Sequence, residues 1–496
     1  MQQGPTDAGV ARQPMMGVWL ALGAYVLAFS LFYPQVLTIS DETSYMRQAW
    51  AYAQGHATVE ALDPASLKVV QVLPSDYPPG TSLLMAPLMA AGGWRAGFLL
   101  GPACSCLVVL LLAHWLGRMG RSPLFALLFL CYPATLVVSR CGMSETPSAA
   151  LVSLALYLFW FARGRRAWMA AAGFVAGVSL LLRETNALVC AFFFLGSLLR
   201  REQGWWALVA GGLAGTALRP LAFEWLLGNA LHVKGTHPPF SWSAVPGNMP
   251  FHLGALLLLF PAGLLWVALY RGPRRLELWA TVAGFLALYL LFDYNAAASA
   301  GLKQWVLTSR FFIPLLPLLV IAAAESCTVL SGSLASSPGA RVALARLQSL
   351  AAPALVLAAI SAAWIVHWQH QLWASQQRGL LLALYTGTEA DAPVVTNLDA
   401  SARYVNEIYA AELGPRLVLS MDTTDEGVIR RVLGRFGRCT IALVERRDSE
   451  RWQQVSTRRL AWAEGLKEQF DVEATTTAPV GSGERVHFWT VRPRKP

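Results

Sequence analysis

Apolar runs long enough to cross a lipid bilayer recur through most of the first 370 residues of this chain. Backbone N–H and C=O groups inside the hydrocarbon core must be satisfied within the protein, so such runs fold as helices. The sequence therefore indicates a polytopic α-helical membrane protein. A window-style reading predicts about eleven spans, at 15–37, 96–116, 122–138, 146–162, 167–182, 186–199, 205–227, 251–270, 276–292, 309–325 and 349–368.

Arginines concentrate in every second short loop between these runs. They occur at 118 and 121, 163–166, 200–201, 271–275 and 341–346. The positive-inside rule makes these loops cytoplasmic, which places the N-terminus inside and the C-terminal domain outside a plasma or inner membrane. The net charge of +10 follows largely from these loops and a basic tail, so no nucleic-acid partner is indicated.

The composition becomes more polar near residue 370. We therefore divide the chain into a transmembrane domain, 1–370, whose first external loop spans about 38–95, and an extracytoplasmic domain, 371–496. Alternating strand-like and helical stretches predict a soluble α/β domain there. The strands are expected at 393–396, 416–420, 439–444, 471–476 and 485–492, and the helices at 400–413, 425–436 and 449–469.

The seven cysteines lie mostly within the spans and show no disulfide framework. The first apolar run lacks a small-residue cleavage site, so we expect it to remain as a membrane anchor. The α/β domain contains no glycine-rich phosphate loop and no nucleophile motif that would indicate its function.

The first external loop carries acidic and aromatic residues in a helical pattern. Ser40 is expected to cap a helix that runs to about Gln54. Asp41 and Glu42 occupy its first turn, Tyr45 lies one turn further on and Gln48 two turns on, so one face presents acid, phenol and amide. An ordinary acidic first turn explains the two carboxylates equally well.

The same loop contains a rigid turn, Asp76-Tyr77-Pro78-Pro79-Gly80. Residues 81–91 then form an apolar stretch that is too short to span a membrane. This stretch predicts a helix lying in the membrane interface.

Several cations lie at the outer ends of spans, against the positive-inside trend. Arg183, in a corner between two short spans, and Arg310 are the main examples, with Arg140 and Lys303 on the same side. A guanidinium suits a phosphate, although a single arginine can also extend to lipid headgroups. Arg219 lies within a span and needs a partner, either Glu224 or a substrate phosphate.

Further polar residues leave two interpretations open. Glu145 is either an acidic wall of the external cavity or an ordinary residue at a helix start. His367 and His370 fit an aromatic interface belt better than a metal site. Two acids are able to hold Mg²⁺ or Mn²⁺, yet no full oxygen ligand set is visible, so the cofactor stays open. A second external loop, 228–250, holds His232, Lys234 and His237.

Four stretches in this order resemble the GT-C superfamily of membrane glycosyltransferases, especially the protein O-mannosyltransferase and aminoarabinose transferase group. They cover 15–325 in order and topology, and they are Asp41-Glu42-Thr43-Ser44-Tyr45, Tyr77-Pro78-Pro79-Gly80-Thr81-Ser82-Leu83-Leu84, Met143-Ser144-Glu145-Thr146-Pro147 and Arg310-Phe311-Phe312-Ile313-Pro314-Leu315-Leu316-Pro317.

The resemblance implies a polyprenyl-phosphate-linked sugar donor used on the outer face, with Asp41 as the base or as the group that positions the acceptor. Aminoarabinose transferases have Glu-Lys before the proline pair, where this chain has Asp76-Tyr77. Arg183, Arg219 or Arg310 would then have to contact the lipid phosphate in place of that lysine.

We therefore expect an inverting glycosyltransferase that acts on a protein, glycolipid or polysaccharide hydroxyl. Asp41 would take the proton from this hydroxyl, and Glu42 or Asp76 would orient the acceptor or the sugar. The first-loop carboxylates and the outer arginines are expected to line one cavity. A transporter or flippase is the alternative, but it would place ionisable groups near the bilayer midplane, often in repeated halves, and no repeat is visible. A purely structural scaffold would leave the buried charges unexplained.

Overall fold

The computed structural model describes residues 12–63, 65–232, 240–292, 302–334, 338–397, 406–445, 450–480 and 484–494. They form two compact units. The first comprises Met1–Tyr33, Pro78–Thr81 and Phe98–Gln369, and the second comprises Pro34–Tyr77, Ser82–Gly97 and His370–Pro496. Most of the first external loop is thus grouped with the C-terminal residues.

The first unit is helical. Its α-helices are α1 (Arg12–Leu31), α4 (Leu100–Arg118), α5 (Leu128–Cys131), α6 (Pro133–Ser139), α7 (Glu145–Phe161), α8 (Arg166–Ser179), α9 (Asn186–Leu199), α10 (Trp205–Leu227), α11 (Val245–Gly254), α12 (Gly263–Leu269), α13 (Arg275–Leu291), α14 (Leu302–Ser309), α15 (Leu316–Leu334) and the first part of α16 (Pro338–Gly387). Short 3₁₀ turns precede several of them, including Trp94–Leu99, Pro123–Leu127 and Arg310–Leu315.

Four helices in the described residues are long and apolar enough to cross a membrane, namely Trp94–Arg118, Trp205–Leu227, Trp305–Ser333 and Ser349–Gly387. A pair of helices bent by 80°, Trp242–Leu259 and Gly263–Leu269, makes a fifth if it is one span. The chain thus has the helices of a multi-pass membrane protein. The expected number of about eleven spans stays a prediction.

Two of the predicted apolar runs are interrupted, and prolines lie at both interruptions. The run 122–138 breaks at Tyr132, where Pro133 begins a new helix. The run 251–270 bends beside Pro261, between a π-helical turn and α12. Proline lacks the N–H that continues a helix, so an apolar run that contains proline need not form one continuous helix.

Helices α8 and α10 approach each other at glycines, where the backbones of the two helices lie in direct contact. A Cβ on Gly173 would lie 2.0 Å from the carbonyl oxygen of Leu208, and one on Gly211 would lie 2.0 Å from that of Ala170. Gly215 approaches the oxygen of Phe174 in the same way, at 2.2 Å. Small residues that let two helices meet this closely are typical of membrane helix pairs.

The second unit contains the first-loop elements α2 (Ser40–Ala53), β1 (Val59–Leu62), β2 (Val69–Val72) and α3 (Gly80–Gly92). The two strands form an antiparallel hairpin, which the sequence analysis missed. The expected helix at 81–91 is confirmed as α3, whereas its position at an interface stays a prediction.

The α/β part of the second unit confirms the alternation read from the sequence. Its elements are β3 (Val394–Thr396), α17 (Asn406–Leu413), β4 (Val418–Ser420), α18 (Glu426–Phe436), β5 (Cys439–Glu445), α19 (Glu450–Gly465), β6 (Asp471–Val480) and β7 (Glu484–Arg492). The sheet order is β4-β3-β5-β7-β6, with β3 parallel to β4 and β5, and β7 antiparallel to β5 and β6. Leu67, from the turn of the β1–β2 hairpin, is buried in the core of this domain.

Candidate active site

In the first unit, Glu145 forms the centre of a cluster of charges. It is the first residue of α7 and is only 1% exposed. Its Oε1 lies 2.7 Å from Nη1 of Arg183 and 3.3 Å from Nε of Arg310. Residues far apart in the chain therefore meet at one carboxylate oxygen.

The two guanidinium groups are held by different elements. Arg183 lies in the corner between α8 and α9, and Arg310 begins the 3₁₀ turn before α15. Both approach the ring of Phe311, with the guanidinium carbon 5.8 Å from the ring centre for Arg183 and 5.3 Å for Arg310. Phe311 in turn stacks on Tyr289 at 4.9 Å. The motif around Arg310 includes this aromatic ring, but its sequence pattern alone did not indicate a role for it.

The Pro-Pro-Gly turn lies beside the Arg183 corner. The N–H of Gly80 donates to the carbonyl oxygen of Leu181 at 2.9 Å. A Cβ at position 80 would lie 2.5 Å from that same oxygen. Only glycine allows this approach, so this turn of the first loop is fixed to the segment that carries Arg183.

Two guanidinium groups contact one carboxylate in this cluster, and the second carboxylate oxygen, Glu145 Oε2, is buried with no hydrogen-bond partner in the described residues. Guanidinium groups suit phosphates and carboxylates, so two of them held at one place favour an anionic ligand. Glu145 is therefore more than a neighbour of a helix start: it holds two arginines in place.

Arg219 has a different partner from the one expected. Its Nη2 lies 2.7 Å from Oε1 of Glu184, whose side chain is 58% exposed. Of the two partners considered from the sequence, Glu224 does not make this contact: its carboxylate accepts from the N–H of Ala230 at 2.9 Å, just beyond the end of α10. Closeness in the sequence therefore did not identify the carboxylate that pairs with Arg219.

In the second unit, Asp41 and Tyr77 form a direct hydrogen bond. The Tyr77 hydroxyl donates to Oδ1 of the half-buried Asp41 at 2.9 Å. The Tyr45 ring lies 4.9 Å from that of Tyr77, and the Gln48 amide donates to the Tyr77 carbonyl at 3.4 Å. The expected face of acid, phenol and amide on α2 is present. Asp76 beside them is exposed.

Glu42 organises the start of α2. Its Oε2 accepts from the N–H of Thr38 at 2.6 Å, the N–H of Ile39 at 3.1 Å and the Thr38 hydroxyl at 3.1 Å. The expectation that Ser40 caps this helix is wrong, since Ser40 is already inside it and Ile39 precedes its first turn. A buried carboxylate that accepts three bonds fixes the backbone just before Asp41.

The histidines flagged in the sequence lie among polar and aromatic groups. His367 contacts the ring of Tyr25 edge-on, and His370 contacts Trp373 and the Thr38 hydroxyl. No group of three His, Cys, Asp or Glu side chains able to hold a metal occurs in the part of the chain that the structure describes. Lys234 and His237 lie outside the described residues, as does the side chain of Lys303.

No protein-family profile and no curated protein matches this chain. Solved structures do share its fold. ArnT from Cupriavidus metallidurans bound to undecaprenyl phosphate aligns with a TM-score of 0.58 and 13% identity, covering 96% of this chain and 97% of that one. ArnT in the apo state aligns with the same TM-score and coverage at 14% identity. The chain therefore shares the overall fold of ArnT.

Proposed function

We propose that this protein is a membrane glycosyltransferase that takes a sugar from a polyprenyl-phosphate donor on the outer face of the inner membrane. It transfers the sugar to a hydroxyl of a protein, glycolipid or polysaccharide, with inversion. The observation that carries the proposal is the cluster of two arginines on one buried carboxylate, in a fold whose structural neighbour binds undecaprenyl phosphate.

The arginine cluster is suited to a phosphate that gains charge. When the bond between the sugar and its lipid phosphate breaks, negative charge builds up on the phosphate oxygens. Arg183 and Arg310 are already oriented by Glu145 and Phe311, so little reorganisation is needed. Preorganised cations in a water-poor setting stabilise such charge more strongly than mobile ones.

Asp41 is the proposed base. It removes the proton from the acceptor hydroxyl, whose oxygen attacks the anomeric carbon as the bond to the lipid phosphate breaks. Attack from the side opposite the leaving group inverts the anomeric centre. The hydrogen bond from Tyr77 orients the Asp41 carboxylate.

The remaining site residues are assigned supporting roles. Glu42 keeps the start of α2 in place, while Tyr45 and Asp76 orient the sugar or the acceptor. Arg219, which pairs with the exposed Glu184, is assigned the role of contacting lipid headgroups or the donor phosphate. The expectation that Asp41 and the arginines line one cavity stays a prediction, as does the cytoplasmic N-terminus.

The proposal is tested by deleting the gene and measuring envelope glycans and glycoproteins by mass spectrometry. Loss of one sugar from a glycan, restored by the wild-type gene and not by Asp41→Asn, supports the function and identifies the donor sugar. An unchanged set of glycans, together with lipid or solute flux in vesicles holding the purified protein, would instead identify a transporter or flippase.

Phosphate recognition is tested separately with purified protein and undecaprenyl phosphate. Arg310→Gln should weaken binding about 30-fold or more, because removing one partner of a buried charge pair costs about 2–5 kcal/mol. Arg121→Gln is the matched control, since Arg121 also pairs with a carboxylate of the first unit, Glu325 at 2.8 Å. If both variants bind undecaprenyl phosphate with equal affinity, the cluster is not part of the phosphate-binding site.

A further inference from the structure

The helix that carries Asp41 is attached at several points to the C-terminal α/β part of the second unit. We propose that this α/β part positions Asp41 for proton transfer, with Tyr409 on α17 as the main anchor. The inference rests on the proposed function, because it concerns how the proposed base is held. It assigns a role to a domain whose sequence contains no motif of its own.

The first attachment lies just before α2. The backbone N–H of Leu37 donates to the Tyr409 hydroxyl at 2.9 Å, and Tyr409 is only 2% exposed. The Tyr409 ring also contacts the Trp94 ring edge-on at 5.4 Å. With Glu42 accepting from the next two N–H groups, the three backbone donors that lead into α2 are all bound by side chains.

The second attachment lies further along α2. Nε of Arg47 donates to Oε1 of Glu407 at 2.9 Å. Glu407 belongs to α17, the same helix as Tyr409. Asp41 lies between Leu37 and Arg47 in the sequence, so α17 holds the chain on both sides of the proposed base.

Two more attachments hold the rest of the first loop. Oε2 of Glu412, also on α17, lies 2.7 Å from Nη2 of Arg95, and Oε1 of the same side chain accepts from the Trp94 indole at 3.0 Å. Arg435 on α18 donates to the carbonyl of Leu67 at 2.6 Å. The first loop is therefore held near its start, at its hairpin and near its end.

This arrangement restricts movements that matter for proton transfer. A misplacement of about 1 Å in a reacting group can lower a rate about 100-fold. Tilting or sliding α2 would break the Leu37 and Arg47 contacts together, so these contacts oppose the movements that would displace Asp41. Exposed ion pairs alone add little stability, which makes the buried Tyr409 hydroxyl the most informative contact to remove.

The first experiment removes only that hydroxyl. Tyr409→Phe in the full-length protein, in lipid nanodiscs, should raise hydrogen–deuterium exchange of the amides at 37–47 about tenfold while leaving the amides of β5 unchanged. Its kcat for sugar transfer should fall about 10- to 100-fold. Its affinity for undecaprenyl phosphate should remain that of the wild type.

The second experiment uses charge reversal and remains informative if Tyr409→Phe fails to fold. Arg47→Glu and Glu407→Arg should each lower kcat, and the double variant should recover most of it. Arg438→Gln is the matched control, because Arg438 pairs with Asp391 at 2.7 Å within the α/β domain. This control should transfer sugar at the wild-type rate.

The outcomes separate this inference from the proposed function. If Asp41→Asn abolishes transfer while Tyr409→Phe and both charge reversals keep the wild-type kcat and exchange rates, the α/β domain does not position Asp41 but the function stands. If the wild-type protein transfers no sugar, the proposed function fails. Lower melting temperatures with unchanged kcat would indicate a purely stabilising role and overturn the inference.

Discussion

Replacing Glu145 by Gln should change stability and ligand binding in opposite directions. The substitution keeps the shape of the side chain and removes its charge. Arg310, with 5% of its side chain exposed, then loses its carboxylate at 3.3 Å, while Arg183, at 17%, keeps more water. Removing one partner of a buried ion pair costs about 3–5 kcal/mol. At about 2 °C per kcal/mol, the melting temperature of the ligand-free protein should fall by about 6–10 °C.

The same change should strengthen binding of undecaprenyl phosphate. In the wild-type protein the Glu145 carboxylate repels a phosphate bound to the two arginines. At about 6 Å and an effective dielectric constant of about 20, that repulsion is about 3 kcal/mol. Allowing for poorer orientation of the arginines, we expect at least about tenfold tighter binding. Turnover should nevertheless fall, since the guanidinium groups are no longer held in place and the lipid phosphate leaves more slowly.

The assay compares melting curves of purified protein with and without undecaprenyl phosphate. Glu325→Gln is the control, because Glu325 binds Arg121 through both oxygens, at 2.8 and 2.9 Å, in the same unit. It should lower the melting temperature without changing the shift that the ligand produces. If Glu145→Gln gives the same ligand-induced shift as Glu325→Gln, the charge argument for this cluster is refuted.

Three other predictions concern separate parts of the molecule. Asp41→Asn should lower the kcat of sugar transfer by about 10²–10⁴-fold, and Tyr77→Phe should lower it by about tenfold, both measured in protein that still folds. Equal rates for the two variants would contradict the assignment of Asp41 as the base. Gly211→Ala puts a Cβ 2.0 Å from a backbone oxygen of α8 and should cost about 1–3 kcal/mol, whereas Gly117→Ala, which meets nothing within 4 Å, should leave the melting temperature unchanged. Burial raises the pKa of the Cys439 thiol to about 12. Iodoacetamide at pH 8 should therefore label Cys439 only after unfolding. Rapid labelling of Cys439 in the native protein would show that β5 is accessible to solvent.

The local elements could be predicted where the sequence pattern is strong. The strands β3, β4 and β5 were expected close to their observed positions, because short apolar runs between polar helical stretches are typical of α/β domains. The β1–β2 hairpin was missed, although Val69 and Val70 have the β-branched side chains of a strand. Its connection, around Asp63, is longer than the two-residue turns that identify a hairpin from sequence.

The pairing of charges could not be predicted. Glu224 is five residues from Arg219 and was the obvious partner, yet Glu184 makes the contact. Likewise, nothing in the sequence indicated that Glu145 would contact two arginines, one of which lies in the distant motif of Arg310. A Coulomb interaction depends on distance in space, and only helix packing sets that distance.

The sequence by itself determined that the chain forms apolar helices followed by an α/β domain, because hydrophobic periodicity is a local property. It also predicted functional roles for the residues around Asp41, Glu145 and Arg310. The tertiary structure alone decided that Glu145 contacts two arginines and that α17 holds the first loop. These contacts join residues that are distant in the chain, and only the packing of the folded chain brings such residues together.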